Sequence, residues 1–367
     1  LKVSYSWRGR PCYVCKIKFK GDIMGKLTTY YKLYKFIGSG NLMRILLDSV
    51  RILKMRYLVV RFDPNWICNL RCRMCYFSAE NYNSEMIQPM STVLFDKIAS
   101  DLFPRTKILF LGCGAEPLMS PKITDHLDTV GKYGVPHVSI VSNGLRLSEK
   151  IIASMINNNI NELIISMDGF TKETYESIRT GSNFNLLIDN LKMLKEIKTK
   201  RDTMFPHLRI NFIAMRRNYK ELRNIIQASD SLCIRTIRVR PLGEWGGALD
   251  YKNEVLADEE YQALYLELKG EAKAKNVEFI YEGIYNSKNP PTTPEKMPVC
   301  MYPWYTIQVR GDGKVRFCPY FDYGTGDLSR QKFREFLMSK QVKKIKNNLR
   351  KNHNSCLYRC RGKFGGL

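Results

Sequence analysis

The sequence predicts an α/β protein: a partial (β/α)6 barrel with a basic N-terminal extension and a small C-terminal α+β domain. Three observations carry this. Short apolar strands alternate with amphipathic helical segments from about 57 to 245, the pattern of parallel strands joined by crossover helices. Six such units are present, which suits an open barrel better than a closed eightfold one. A proline-rich joint, NSKNPPTTPEKMP (286–298), then separates this block from a segment of different pattern. The expected boundaries are 1–56, 57–285 and 286–367.

The extension is strongly basic: residues 1–57 hold 13 Lys/Arg against only Asp22 and Asp48. The expected strands are LVVRF (58–62), KILFLG (107–112), HVSIVS (137–142), ELIISM (162–167), LRINFIAM (208–215) and TIRVRPL (236–242). Their near-continuous apolar character fits sheet positions covered on both faces. Helical periodicity fills 91–103, 148–159, 183–198 and 218–230, with one more helix over 258–275. Beyond the joint, WYTIQVRGDGKVRFC (304–318) alternates around Gly311-Asp312-Gly313 as a hairpin, and helical pattern resumes from about 330 to 351.

Composition excludes several classes. No run of 18 apolar residues is present, so no membrane-spanning helix is expected. The N-terminus lacks a signal-peptide layout, and the expected compartment is the cytoplasm. Eleven cysteines in 367 residues are too unevenly spaced and the chain too long for a secreted disulfide scaffold. In a reducing compartment their clustering points to metal or redox chemistry. The net charge of +24 and a second basic run at 331–351 would attract polyanions, whether anionic small molecules, acidic peptides, nucleic acid or lipid headgroups. A lysine-rich solvated surface explains the same charge. Tyr30, Tyr31, Tyr34 and Phe36 interleave with Lys32 and Lys35, a pattern that suits nucleic acid or a membrane surface, with helix packing as the default reading.

The chemistry sits in CNLRCRMC (68–75), directly after the first strand. Zinc sites usually take four protein ligands. Here Cys68, Cys72 and Cys75 stand without a fourth Cys or His nearby. Three thiolates on a [4Fe–4S] cluster leave one iron open to chelate a small molecule.

At these residues the sequence resembles the radical S-adenosylmethionine (radical SAM) superfamily. The family implies a partial barrel whose open iron binds SAM. Reductive cleavage of SAM then yields a 5′-deoxyadenosyl radical that takes a substrate hydrogen. GCGAEPL (112–118), VSNG (141–144), ISMDG (165–169) and SIRTG (177–181) stand in the family's order. The resemblance implies SAM contacts from Gly114, Ala115, Glu116, Ser142, Asn143, Ser166, Asp168 and Arg179. Glu116 would receive the SAM ammonium and Arg179 would pair with its carboxylate. Two departures are Ala115 where glycine is usual, and Met74 where an aromatic is common; Tyr76 would face the adenine instead.

Cys300, Cys318, Cys356 and Cys360 resemble the SPASM/twitch auxiliary iron–sulfur domains of the same superfamily, in a form with four cysteines where a full SPASM domain has about seven. One auxiliary [4Fe–4S] cluster is the expectation, and a structural zinc site with four cysteine ligands is the alternative. The three-plus-four layout is similar to that of 2-deoxy-scyllo-inosamine dehydrogenase and related aminoglycoside-pathway enzymes. The expected activity is therefore oxidoreductase chemistry of dehydrogenase type on a polar or anionic small molecule such as a sugar derivative, with a flavodoxin or ferredoxin as electron donor. Alternatives are a radical maturase that crosslinks or epimerises a peptide, and a non-catalytic iron–sulfur or zinc module. Cys113 is a candidate hydrogen-atom donor as well as a small packing residue. Arg238, Arg240 and Glu244, at the end of the sixth strand, are candidate substrate contacts. Cys12 and Cys15 are expected to be free thiols, and Cys233 to be core.

Overall fold

The computed structural model describes residues 55–78, 89–243, 251–281, 302–317 and 326–351, together with Ser49. The expected features of the N-terminal extension, the proline-rich joint, Glu244 and Cys12, Cys15, Cys300, Cys318, Cys356 and Cys360 lie outside the described residues.

The strands are β1 (Leu58–Phe62), β2 (Arg71–Cys72), β3 (Thr106–Leu111), β4 (His137–Ser142), β5 (Glu162–Ser166) and β6 (Arg179–Thr180), followed by β7 (His207–Ala214), β8 (Ile234–Pro241), β9 (Glu278–Tyr281), β10 (Thr306–Val309), β11 (Lys314–Arg316) and β12 (Gly326–Asp327). Ten of them form one open sheet in the order β12-β11-β10-β1-β3-β4-β5-β7-β8-β9. From β10 through β9 every neighbouring pair is parallel. The six expected strands are β1, β3, β4, β5, β7 and β8. The sheet also gains β9 beyond β8, a short EFIY segment whose four residues are too few to show a period of their own.

Helices cover one face, and side-chain caps start many of them. Ser91, Ser148, Thr171 and Asn183 each accept a hydrogen bond from an amide in the first turn that follows. The expected single helix over 218–230 is broken into a 3-10 turn and two short helices, Leu222–Gln227 and Ser229–Leu232. Cys233 ends the second of these in the left-handed conformation (φ 59°) and is buried, as expected.

The expectation of strands apolar on both faces holds in β5, where Leu163, Ile164 and Ile165 are all buried, but needs correcting for β7 and β8. In β7, Leu208, Ile210 and Phe212 join the core under the helices, which turns Arg209, Asn211 and Ile213 to the opposite, concave face. In β8, Ile237 and Val239 join that core, and Arg238 and Arg240 face the concave side. β7 and β8 thus carry polar side chains on the concave face, where the candidate site lies.

The C-terminal hairpin is not packed on a core of its own. Strand β10 pairs with β1, placing Val60 beside Ile307 and Phe62 beside Val309. Val309, Val315, Phe317, Phe333 and Phe336 all belong to the main hydrophobic core. Without β10, β1 would present an unpaired edge. Among the described residues, no helix is long and apolar enough to cross a membrane.

The core under β1 is aromatic: Phe95 is fully buried, stacked on Phe62 with centroids 4.8 Å apart and on His126 at 4.2 Å. Phe95→Ala is expected to destabilise the fold by about 3–5 kcal/mol, read as a lower urea midpoint at unchanged slope. A midpoint equal to the parent's would mean that this stack does not hold the barrel together.

Candidate functional site

The site is built at the carboxyl ends of β1, β3, β4 and β5, where ligands bind in parallel sheets. The chain leaves β1 through Asp63, Asn65 and Trp66, all buried, into the cysteine loop. That loop is held in three ways. Cys75 N–H donates to the Cys72 carbonyl at 2.9 Å, and the Ser78 hydroxyl donates to the same carbonyl at 2.7 Å. Strand β2 pairs antiparallel with β6, which sets Cys72 opposite Arg179. Asn143 Nδ2 donates to Asn69 Oδ1 at 2.9 Å, tying the loop to the end of β4.

Cys68, Cys72 and Cys75 are half-buried free thiols. Burial pushes all three up, Cys72 to about 11 although Arg179 pulls it the other way. Among the described residues, no three His, Cys, Asp or Glu side chains converge on a single ion. A [4Fe–4S] cluster binds three thiolates through three separate irons and leaves the fourth open, and three thiols in one loop beside the Arg179 guanidinium fit such an anionic group.

After β3 the chain turns through Gly112-Cys113-Gly114-Ala115-Glu116. Gly112 has φ +80°, and a Cβ there would lie 2.4 Å from the Pro117 ring. At Gly114 a Cβ would meet the Trp66 ring at 2.7 Å. Both glycines are required by the close approach of their neighbours. Glu116 is 3% exposed. Its Oε1 accepts from the Ser142 hydroxyl at 2.7 Å and the Leu118 amide at 3.1 Å, and its Oε2 from the Asn143 amide at 2.7 Å. Burial nonetheless pushes its carboxyl up to about 7, with these hydrogen bonds opposing.

Asp168, at the end of β5, is fully buried and engaged by protein groups. One oxygen accepts from the Ile213 amide at 2.8 Å, and the other lies 2.6 Å from Arg179 Nη2. Arg179 Nη1 is 3.7 Å from Cys72 Sγ. Burial works against the Arg179 charge, but Asp168 and Cys72 outweigh it and raise its pKa. Asp168 thus holds Arg179 against the cysteine loop. Ser166 is half-buried at the end of β5. Tyr76 donates its hydroxyl to the Gly114 carbonyl at 2.9 Å, and its ring packs 4.9 Å from Phe77. It therefore clasps the cysteine loop to the glycine turn.

Cys113 is exposed to solvent, although many protein atoms lie around its thiol. Burial pushes its thiol up to about 12, and Asp63 adds to the rise, with Arg61 and Arg240 opposing. Arg61 comes from β1, with its guanidinium 6.0 Å from the Phe110 ring centre. Arg238 is buried and Arg240 half-buried. Sequence reasoning missed Asp63, Asn65 and Arg61. The signal for them was a run of polar residues, RFDPN, closing an apolar strand just before the cysteines.

Comparison with known proteins agrees with this architecture. A family model for the radical SAM superfamily matches residues 67–227, and one for an iron–sulfur cluster-binding domain, SPASM, matches 300–361, a span that includes all four late cysteines. A probable GTP 3′,8-cyclase of Metallosphaera sedula is 20% identical over 268 residues, 72% of this chain and 81% of its own. A Pyrococcus furiosus protein, described as modifying the cofactor of tungsten-containing aldehyde ferredoxin oxidoreductase, is 26% identical over 172 residues, 46% of each chain. The crystal structure of Streptococcus suis SuiB bound to S-adenosylmethionine aligns with a TM-score of 0.64 at 13% identity, covering 88% of this chain and 78% of SuiB. SuiB has also been solved with its precursor peptide SuiA, and that structure aligns with a TM-score of 0.62 at 13% identity over 78% of this chain and 66% of SuiB. The cysteine loop, the open parallel sheet and the two domain matches make this chain a member of the radical SAM superfamily that carries a SPASM domain and uses [4Fe–4S] clusters and S-adenosylmethionine.

Proposed function

We propose that this radical SAM enzyme carries out a two-electron, dehydrogenase-type oxidation of an anionic small molecule, with Cys68, Cys72 and Cys75 holding the SAM-cleaving cluster. The observation that carries the reading is the placement of the cysteine loop beside Glu116, a buried carboxyl group beyond the end of β3, where the Glu116 amide donates to the carbonyl of Ile67, next to Cys68, at 3.0 Å. The cluster and SAM supply the electron and the radical that removes a substrate hydrogen. Residues of this chain bind and orient. Glu116 receives the SAM ammonium, a charge-assisted contact in a partly dry site. The Gly114–Ala115 backbone borders the methionine. Ser142 and Asn143 hold the Glu116 carboxylate in place, and Ser166 lies across the mouth. Arg179, held by Asp168, pairs with the SAM carboxylate. Cys300, Cys318, Cys356 and Cys360 would hold an auxiliary cluster, which would supply an acceptor for the substrate's second electron, and a flavodoxin or ferredoxin would serve as donor.

The substrate class follows from the concave face. Arg61 on β1 and Arg238 and Arg240 on β8 bring three guanidinium groups to one side of the sheet, and Arg61 and Arg240 both act on Cys113. Guanidinium groups suit phosphate or carboxylate. The similarity to a probable GTP 3′,8-cyclase is in keeping with an anionic substrate. The second reading, an acidic peptide as substrate, is supported by the likeness to SuiB, which binds a precursor peptide.

Anaerobic reconstitution is expected to yield about eight irons per chain from two four-iron clusters. Cys68→Ala, Cys72→Ala and Cys75→Ala together should leave about four. Retention of all the iron by the triple variant, or zinc in place of the remainder, would reject the assignment.

SAM affinity is expected to depend on pH. Only the ionised Glu116 can pair with an ammonium, and its carboxyl stands at about 7. Below that pH a proton must leave before SAM binds, so affinity should drop by about tenfold per unit as pH falls. In Glu116→Ala the affinity should fall by roughly ten- to a hundredfold, from the loss of one charged hydrogen bond, and the pH dependence should vanish. Equilibrium dialysis against labelled SAM across the range from mildly acidic to mildly alkaline pH measures both.

Oxidation and epimerisation separate on two cysteines. Cys318→Ala should still form 5′-deoxyadenosine while the oxidised product disappears. Solvent deuterium in the product, lost together with the product in Cys113→Ala, would instead establish hydrogen-atom return from a thiol and reject the oxidation.

A further inference from the structure

One buried network beside the site takes no part in that chemistry. Asp63 follows β1, is fully buried, and has both oxygens engaged. Oδ1 accepts from the Gly114 amide at 2.7 Å and from the Ala115 amide at 3.5 Å. Oδ2 accepts from Gln308 Nε2 at 3.0 Å, and Gln308 lies 245 residues away on β10. The other end of that amide, Oε1, accepts from Arg316 Nε at 3.0 Å. A guanidinium only donates, so Arg316 fixes which end of the Gln308 amide meets Asp63. The hairpin supports the same place by two further contacts. The Arg310 guanidinium lies 5.2 Å over the Trp66 ring, and a Cβ on Gly311 would come within 3.0 Å of Asn65 Cα. Trp66 in turn packs on Gly114.

We propose that Gln308 and Arg316 are positioning residues for the glycine turn, so that the SPASM hairpin sets the conformation of the SAM-binding segment. This rests on the reading of Gly114–Glu116 as that segment. Burial disfavours the Asp63 carboxylate, and it holds two turn amides in place only while its second oxygen is satisfied. Cys318 follows Arg316 by two residues, and three hydrogen bonds link Arg316 to the turn: Arg316 to Gln308, Gln308 to Asp63, and Gly114 to Asp63.

The test uses the full chain, reconstituted anaerobically, with labelled SAM in equilibrium dialysis and amide exchange over 112–116 in protein without SAM. Gln308→Leu should weaken SAM binding on the order of tenfold and speed exchange over 112–116, because one charged hydrogen bond is lost. Asp63→Asn should do the same, since its new amide faces the Gln308 amide. The double variant, Asp63→Asn with Gln308→Glu, moves the carboxylate across the pair. The new amide then donates to the new carboxylate, which still accepts from Arg316, while the residue-63 carbonyl still accepts from Gly114. Both SAM affinity and protection should return to within about threefold of the parent. A purely structural role would show additive losses in the double variant, and that outcome overturns the proposal. So does Gln308→Leu with parental affinity and exchange. Glu116→Ala serves as the control. If it too binds SAM normally, the segment is not the SAM site; if it binds weakly and Gln308→Leu does not, only the hairpin's role fails.

Discussion

The site depends on the cost of burying carboxylates. Asp63, Glu116 and Asp168 stand just beyond the ends of β1, β3 and β5, each nearly or wholly removed from water. A carboxylate in such a place is tolerated only with hydrogen-bond donors or an opposite charge around it. Here the donors come from other loops: Gly114 for Asp63, Ser142 and Asn143 for Glu116, Arg179 for Asp168. Each acid therefore binds its own strand end to another. The loops that carry these residues are held by three buried carboxyl groups and their partners, together with apolar packing around Met74 and Trp66.

The second layer is electrostatic. The Arg179 pair with Asp168 lies against Cys72, so a guanidinium fixed by protein charge faces the loop proposed to hold an anionic cluster. Across the concave face the arginines of β1 and β8 add further positive charge beside an accessible thiol. The net charge of +24 is thus not only a surface property, because part of it is placed inside the barrel opening. That placement separates attraction of any polyanion from selection of one that fits.

The sheet order joins the two family matches into one unit. Strand β10 covers the edge of β1, and the strand that feeds the cysteine loop consequently lies between β3 and the SPASM hairpin. Shared core residues from Val309 to Phe336 make the hairpin part of the wall of the main fold.

Much of this was legible in the residues themselves. Apolar runs such as HVSIVS and ELIISM placed the strands to within a residue or two, because burial under helices demands that pattern wherever the partners lie. CNLRCRMC and GCGAEPL were legible because thiol spacing and tight glycine turns are local properties. The sequence by itself therefore determined the parallel α/β class, the cysteine loop and the glycine turn. Only the tertiary structure decided that Asp168 serves Arg179, that Tyr76 clasps Gly114, and that Gln308 reaches Asp63. Those are contacts between residues brought together from separate elements, up to hundreds of positions apart. Which strand lies beside β1, and which side chains share the concave face, depends on sheet order and register, and neither is written in any local pattern.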